Sequence, residues 1–189
     1  LVDGLGDSLR AVGVPVFGPN AKAAQLEGSK GFTKDLCTRA NIPTAGYARH
    51  TDKAAALADL ARFGLPVVIK ADGLAAGKGV IIAETAADAA AAIEDMFDGS
   101  FGDAGAEVVI EEFMQGEEAS IMLMVCREEY LMLPPSQDHK RVGEGDTGLN
   151  TGGMGAYAPT TVVTPEVERR LREEIILPTL RGLQTDGID

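Results

Sequence analysis

The chain has 189 residues, 45% of them hydrophobic and 5% aromatic, so we expect one or two small domains with cores of Val, Ile, Leu and Ala. Its formal net charge of -12 argues against a nucleic-acid partner, because nucleic-acid phosphates are bound mainly by Lys and Arg. Two histidines exclude a histidine-rich metal site, and no apolar run reaches the roughly 18 residues of a membrane span.

Two cysteines, Cys37 and Cys126, lie far apart and outside any metal-type spacing. We interpret them as buried thiols and expect a cytoplasmic location, where thiols stay reduced. The first residues lack the basic and apolar regions of a signal peptide and do not start with Met, so we expect a trimmed or truncated chain.

Residues 1–42 predict a helix, a short strand and two more helices. The first helix covers residues 1–13, and residues 14–19 predict a strand that ends in a Gly-Pro turn. A second helix begins at Asn20, and a third runs from about Ser29 to Ala40. We expect this segment to be the end of an α/β domain with its connecting helix.

Residues 43–114 predict a β-α-β-β-α-β order, which is typical of a compact α+β layer containing a hairpin. The predicted strands are 44–50, 66–71, 79–84 and 106–113, and the predicted helices are 52–63 and 85–97. We expect this segment to form one domain.

Residues 115–189 predict strands at 119–125 and 130–134. Residues 136–159 are polar and glycine-rich without a clear period, so we expect a loop. A helix is predicted over residues 165–183, with Thr164 as N-cap and an interruption near Pro178. We expect this segment to begin a further layer.

A glycine-rich segment with two nearby lysines separates the two strands of the predicted hairpin, "VVIKADGLAAGKGVIIAE". Glycine lets backbone N–H groups approach phosphate oxygens, and lysine adds charge. The spacing fits neither the Walker A motif nor the dinucleotide fingerprint. By itself the segment therefore leaves open a phosphate cradle or an ordinary solvated loop.

Four stretches together resemble the ATP-grasp ligase family, and within it the phosphoribosylamine–glycine ligases: "EGSKGFTK", "VIKADGLAAGKGV", "VVIEEFMQGEEAS" and "QDHKRVGEGDTGLNTGGMGAYAP". The last stretch is the most specific. The resemblance implies a partial ATP-grasp fold of the α+β class, preceded by the tail of an α/β (pre-ATP-grasp) domain. It implies that residues 43–114 are the lid that closes over ATP and that residues 115–189 begin the second ATP-gripping subdomain.

The resemblance also implies a set of residues that bind ATP together with Mg²⁺ or Mn²⁺. Lys30 and Lys70 would contact the phosphates, and Gly77, Lys78 and Gly79 would belong to the closing loop. Glu111 and the backbone near Phe113 would meet adenine, and Glu118 would bind the ribose. The neighbouring ATP-binding positions are Glu112 and Met114.

On the acceptor side, the resemblance implies a pocket for the small-molecule substrates glycine and 5-phosphoribosylamine. Lys140 and Arg141 would be catalytic, and the pocket would be lined by Asp138, His139, Asn150, Thr151, Gly152 and Gly153. Leu149 departs from the family, which usually has Pro before N-T-G-G, and this loosens the expected turn without removing a functional group.

The family's metal-binding Glu, Asn and R-F-G-D-P-E segment are not found in the chain, so we assign no metal ligands. We expect a central portion of the ligase that does not turn over alone and whose open sheet edges favour self-association. Two alternatives stay open: another ATP-grasp carboxylate–amine ligase, and a nucleotide-binding or interaction module without catalysis.

Overall fold

The computed structural model describes residues 1–73, 79–100, 105–145 and 147–188. The chain divides into two compact units, one of Leu1–Met114 together with Ile188 and the other of Gln115–Gly187. No described helix offers the long apolar stretch that a membrane crossing requires.

The first unit opens with three helices: α1 (Leu5–Ala11), α2 (Ala21–Gly28) and α3 (Lys30–Arg39). Side chains cap the second and third helices, because the first N–H groups of a helix have no partner inside it. The Asn20 side chain accepts a hydrogen bond from Ala23 N–H at 2.7 Å, and Ser29 Oγ accepts one from Phe32 N–H at 3.0 Å. The predicted second and third helices are confirmed.

The predicted strand at residues 14–19 is wrong, because this segment is irregular. Pro15 and Pro19 bring no N–H group to a sheet ladder. The carbonyls of Val16 and Gly18 are instead acceptors for the Arg10 guanidinium, at 3.3 Å for Val16. The Arg10 side chain therefore satisfies carbonyl oxygens that would otherwise accept hydrogen bonds from a neighbouring strand.

The remainder of the first unit is a four-stranded antiparallel sheet with two helices, in the predicted β-α-β-β-α-β order. Its elements are β1 (Tyr47–His50), α4 (Lys53–Asp59) with a 3₁₀ turn (Leu60–Arg62), β2 (Val67–Ala71), β3 (Val80–Ala83), α5 (Ala86–Asp95) with a π-helical turn (Met96–Ser100), and β4 (Val108–Glu112). The order across the sheet is β1-β4-β2-β3, so β2 and β3 form the predicted hairpin.

One face of this sheet carries the core of the unit. Alternation along β2 and β4 turns one set of apolar side chains toward α4 and α5. These buried residues are Val67, Ile69, Ala71, Val108 and Ile110 from the strands, packed with Ala56, Ala89, Ala92, Ile93 and Met96 from the helices. The other side chains of the same strands are thereby placed on the opposite face.

The second unit contains two antiparallel ribbons and a helical segment. The first ribbon pairs β5 (Leu123–Cys126) with β6 (Glu129–Met132), and the second pairs β7 (Gln137–Gly143) with β8 (Thr147–Tyr157). The helical segment consists of α6 (Pro165–Arg170), a π-helical stretch (Leu171–Ile176) and α7 (Leu177–Thr185).

The second ribbon corrects the expectation of a loop over residues 136–159. Most side chains of this ribbon are at least partly exposed, so neither strand needs an apolar side chain at every second position. The two-residue alternation that normally predicts a strand is therefore missing. Glycines with positive φ, among them Gly148 (φ +82°) and Gly153 (φ +123°), shape β8, and the pairing shifts register between His139 and Arg141.

The last predicted helix begins as expected, because Thr164 Oγ1 accepts a hydrogen bond from Val167 N–H at 3.3 Å. Its interruption is also present, but it begins well before the proline. The α-helical pattern changes after Arg170 and resumes at Leu177, which places Pro178 in the first turn of α7. Ile176 and Leu177 keep helical backbone angles, so the chain passes from the π-helical stretch into α7 without leaving the helix.

Candidate functional site

The face of the sheet opposite the core carries the charged residues of the first unit. In the strand register, Lys70 lies between Val109 and Val80, while Glu111 lies beside Val68 and Tyr47. Paired residues share a face, so Lys70 and Glu111 are diagonal neighbours on adjacent strands. The sheet therefore brings together two residues separated by 41 positions in the chain.

Glu111 is 5% exposed and accepts charged donors from two elements. The Lys70 ammonium donates to Glu111 Oε2 at 2.9 Å, and Lys34 Nζ from α3 lies 3.4 Å from the same oxygen. A buried carboxylate requires such partners, because an uncompensated charge in the interior is very costly. Glu111 thus contacts both Lys70 and Lys34. Its predicted contact with adenine stays a prediction.

Lys34 is a residue that the sequence analysis missed. It is 8% exposed, its ammonium donates to Thr44 Oγ1 at 2.8 Å and to Ala45 O at 3.1 Å, and it lies 5.3 Å from the Tyr47 ring centroid. One signal was available in the sequence: Lys34 follows Lys30 by four positions and so shares its helix face.

Lys30 lies at the first turn of α3 and contacts the start of the glycine-rich segment. Its ammonium donates to the carbonyl oxygens of Asp72 and Gly73, both at 3.2 Å. Burial lowers the pKa of Lys30, the nearby Asp72 opposes this change, and the charge of Lys70 lowers the pKa further. Two of the predicted phosphate-binding lysines are therefore close enough to repel each other.

The glycine-rich segment is only partly described. Gly79 is buried, and its carbonyl oxygen accepts a hydrogen bond from Ala71 N–H at 2.9 Å, so it closes the hairpin ladder. Gly77 and Lys78 lie outside the described residues, and their predicted roles stay predictions. Beside Lys70, the edge strand β3 exposes Val80 and Ile82, which provide an apolar surface next to the charged group.

The end of β4 runs into an exposed segment. Glu112 is exposed, while its backbone N–H donates to Gly46 O at 2.9 Å. Phe113 is half-buried, and Met114 is 66% exposed. Glu112, Phe113 and Met114 follow Glu111 directly, so they lie where the predicted adenine contacts would have to be, at the end of β4.

In the second unit, the predicted ribose and acceptor residues form a charged group. Lys140 donates to Glu118 Oε1 at 2.6 Å and lies 3.9 Å from Asp138 Oδ2. The hydrogen bond to Glu118 raises the pKa of Lys140. The side chains of Lys140 and Glu118 are 43% and 68% exposed, so this pair contributes little to stability.

The remaining predicted acceptor residues lie along the second ribbon. Thr151 Oγ1 donates to Lys140 O at 2.8 Å and accepts from Gly153 N–H at 3.1 Å, which joins the two strands. His139 stacks on Tyr157 with ring centroids 5.8 Å apart. Arg141 pairs with Asn150 in the register, and Gly152 has open space where a side chain would be.

Neither unit offers a metal centre in its described part. Among residues 1–73, 79–100, 105–145 and 147–188, no group of three or more His, Cys, Asp or Glu side chains could hold a metal ion. These residues therefore do not fit a metal site. The first unit instead presents ammonium groups beside an apolar surface, an arrangement suited to an anionic ligand with a flat apolar part.

A family model matches most of the chain. It is described as "Phosphoribosylglycinamide synthetase, ATP-grasp (A) domain", and it covers residues 28–189. A curated phosphoribosylamine–glycine ligase of Xanthomonas axonopodis is 59% identical over 189 residues. The match takes in 100% of this chain and 44% of that protein, so the chain spans less than half the length of this relative.

Solved structures show the same likeness. A phosphoribosylamine–glycine ligase from Thermotoga maritima superimposes with a TM-score of 0.84 at 36% identity, covering 92% of this chain and 44% of that one. The biotin carboxylase domain of Hydrogenobacter thermophilus 2-oxoglutarate carboxylase, solved with MgADP and bicarbonate, gives a TM-score of 0.71 at 18% identity and covers 96% of this chain and 39% of that one. The latter match bears on the fold alone. The predicted ATP-grasp fold class is confirmed.

Proposed function

The chain belongs to the phosphoribosylglycinamide synthetase ATP-grasp (A) domain family, and on this premise we propose that it is the nucleotide-binding part of a phosphoribosylamine–glycine ligase. The reaction joins glycine to 5-phosphoribosylamine with ATP and gives glycinamide ribonucleotide, ADP and phosphate. It is a step of de novo purine biosynthesis. The names of the curated relatives support this choice of substrates.

The observation that carries the proposal is the charged pair of Lys70 and Glu111 on the sheet face opposite the core, 2.9 Å apart, with the Lys30 ammonium nearby. Glu111 holds Lys70 in place, and the exposed Val80 and Ile82 provide an apolar surface beside it. ATP has the matching chemistry, because its phosphates need cations and its purine ring needs an apolar contact.

In the proposed reaction, a carboxylate oxygen of glycine attacks the γ-phosphorus of ATP, and the bond to the bridging oxygen breaks to leave ADP. The amine of 5-phosphoribosylamine then attacks the glycyl carbonyl carbon, loses a proton and expels phosphate, so an amide forms. Lys30 and Lys70 would neutralise the transferring charge, and no protein nucleophile is needed. The contribution of the residues is positioning and electrostatic stabilisation.

The second unit supplies the proposed acceptor side. Lys140 and Arg141 would meet the developing negative charge, while Asp138, His139, Asn150, Thr151, Gly152 and Gly153 would line the pocket for glycine and the sugar phosphate. Glu118 would accept from the ribose hydroxyls. In support, the Lys140 ammonium lies 2.6 Å from Glu118 Oε1 and 3.9 Å from Asp138 Oδ2, and Thr151 Oγ1 contacts both Lys140 O and Gly153 N–H.

ATP-grasp ligases use ATP with a divalent metal ion, and we propose Mg²⁺ here, with Mn²⁺ as a substitute. Because the described residues provide no cluster that would hold the ion, no ligand is assigned and no step depends on one. A cytoplasmic location is part of the same proposal, and the free thiols of Cys37 and Cys126 suit a reducing compartment.

Calorimetric titration of the 189-residue chain with Mg·ATP tests the nucleotide site. We expect binding by the unaltered chain and a loss of at least about tenfold in affinity for Lys70→Ala, since a charge-assisted contact is removed. Lys53→Ala is the matched control, because Lys53 of α4 pairs with Asp98 in the turn after α5 and its side chain is 42% exposed. Equal affinity of both variants would contradict the proposed site.

Turnover is measured separately, as ADP release that requires both glycine and 5-phosphoribosylamine. The expectation that this chain alone does not turn over stays a prediction, and glycine-dependent ADP release by the 189-residue chain would contradict it. If ATP binds but ADP release depends on a carboxylate other than glycine, the proposed nucleotide site stands and glycine is wrong as the proposed substrate.

A further inference from the structure

Asp72 is the residue immediately before the first glycine of the glycine-rich segment, and its contacts reach two other parts of the first unit, the start of α3 and the segment before β4. Its Oδ1 accepts from Gly31 N–H at 2.6 Å, and its Oδ2 accepts from Ser29 Oγ at 2.8 Å. Its own N–H donates to Glu107 O at 2.9 Å. Both carboxylate oxygens and the backbone are thus engaged.

The carbonyl oxygen of Asp72 adds a further contact, because it accepts from the Lys30 ammonium at 3.2 Å. Gly73 O accepts from the same ammonium at the same distance. The C=O and N–H groups of a trans peptide unit point in opposite directions. Lys30 therefore holds the Asp72 carbonyl toward α3, and the Gly73 N–H points away from that helix.

We propose that Asp72 is a positioning residue for nucleotide binding: it ties the root of the glycine-rich segment to the start of α3 and holds the Lys30 ammonium there in its charged form. This inference rests on the proposed function, since it assumes that Lys30 faces the phosphates of ATP. It assigns Asp72 no contact with ATP.

The electrostatics at Lys30 give this role a measurable signature. Lys30 is surrounded by Glu27 of α2, Lys70 of β2, Glu111 of β4 and Asp72, with Lys34 one turn along its own helix. Burial and Lys70 lower the pKa of Lys30, while Asp72 opposes them. Removing the Asp72 charge must therefore lower this pKa further, so Lys30 loses its proton at a lower pH.

The test uses Asp72→Asn, which keeps an oxygen for Gly31 N–H and removes the charge. Asp52→Asn is the matched control, because Asp52 accepts from Ala55 N–H at 2.8 Å as the N-cap of α4 and makes no described contact with Lys30. Two quantities are measured from neutral to alkaline pH: the Lys30 titration by NMR of ¹³Cε-labelled lysine, assigned with Lys30→Arg, and the affinity for Mg·ATP.

We expect Asp72→Asn to lower the Lys30 pKa and to move the alkaline loss of ATP affinity to lower pH, so that binding there is weaker by roughly tenfold. Asp52→Asn should change neither quantity. If Asp72→Asn does not fold, Ser29→Ala is used, which removes one donor to the carboxylate together with the N-cap of α3. It is expected to shift both quantities in the same direction by a smaller amount.

An unchanged Lys30 titration would overturn the inference, and so would a lowered Lys30 pKa with unchanged ATP affinity. A uniform gain of affinity across the pH range would also overturn it, because Asp72 would then act only as a charge that repels phosphate. If no form of the chain binds ATP, the proposed function fails together with the role in nucleotide binding, while the NMR titration still decides whether Asp72 keeps Lys30 charged.

Discussion

The Lys70 ammonium and the Glu111 carboxylate meet at 2.9 Å across β2 and β4, on the sheet face opposite the core. Lys34 approaches the same Glu111 oxygen from α3 at 3.4 Å. One carboxylate thus compensates two ammonium groups, one nearly buried and the other a quarter exposed. Because Lys34, Lys70 and Glu111 differ in burial, we expect substitutions of the three to have different effects on stability and on ATP affinity.

Glu111→Gln should lower the free energy of unfolding by about 2–4 kcal/mol, because two ammonium groups would face a neutral amide in a largely buried position. The expected loss lies below that for a fully buried pair because Lys70 remains partly solvated. Urea unfolding of the chain measures this change.

Glu112→Gln is the control for that experiment, since Glu112 is the next residue of the strand and is exposed. We expect a change within about 0.5 kcal/mol for this surface position. Equal stability of the two variants would show that Glu111 does not compensate the lysines.

The two lysines at Glu111 should separate stability from nucleotide affinity. Lys34→Met removes the donor to Ala45 O and Thr44 Oγ1 in a buried place, so we expect a loss of about 2–3 kcal/mol in unfolding free energy. Lys70→Met keeps the Lys34–Glu111 contact and should cost only roughly 1 kcal/mol, but weaken ATP binding by at least about tenfold.

Unfolding by urea and calorimetry with Mg·ATP, both on the same two variants, check this separation. The opposite result, with Lys70→Met the less stable variant and ATP affinity lost only in Lys34→Met, would mean that Lys70 stabilises the fold and Lys34 binds ATP.

The sheet of the first unit was predictable because its strands are short β-branched runs bounded by turn residues. Val67, Ile69 and their neighbours form such a run, and Thr85 marks the start of α5 by capping it. The site residues Lys30, Lys70 and Glu111 came from the resemblance to known ligases. The structure places Lys70 and Glu111 on the predicted layer and brings Lys30 of α3 close to them.

Other features depend on contacts that no local pattern contains. The carbonyls of residues 16 and 18 are satisfied by Arg10, a side chain from a helix, so an apparent strand stays irregular. The ribbon of β7 and β8 buries no regular apolar face and therefore shows no period of two. Asp72 was overlooked because its partners, Ser29 and Gly31, lie 43 and 41 positions away.

Two adjacent glycines in the second ribbon should respond differently to alanine. Gly153 has φ +123°, and a Cβ there would lie 3.3 Å from Asp138 Oδ1, whereas Gly152 has open space and no positive φ. We expect Gly153→Ala to lower the unfolding free energy by about 1–2 kcal/mol and Gly152→Ala to be nearly neutral.

Urea unfolding together with amide hydrogen exchange along β7 and β8 measures this difference. Equal protection of the ribbon in the two variants would mean that the backbone at Gly153 relaxes to accept a side chain.

The two thiols should react at very different rates. Burial raises the pKa of Cys37, which lies on α3, while Cys126 on β5 is exposed. A raised pKa leaves less thiolate at neutral pH, and thiolate is the species that reacts, so burial and ionisation both slow Cys37. Iodoacetamide should therefore modify Cys126 at least about tenfold faster in the folded chain, as followed by mass spectrometry.

The chain with Cys126→Ser should label slowly until urea unfolds it. Rapid labelling of that folded variant would contradict the raised pKa of Cys37, because a partly exposed thiol with an ordinary pKa would account for it.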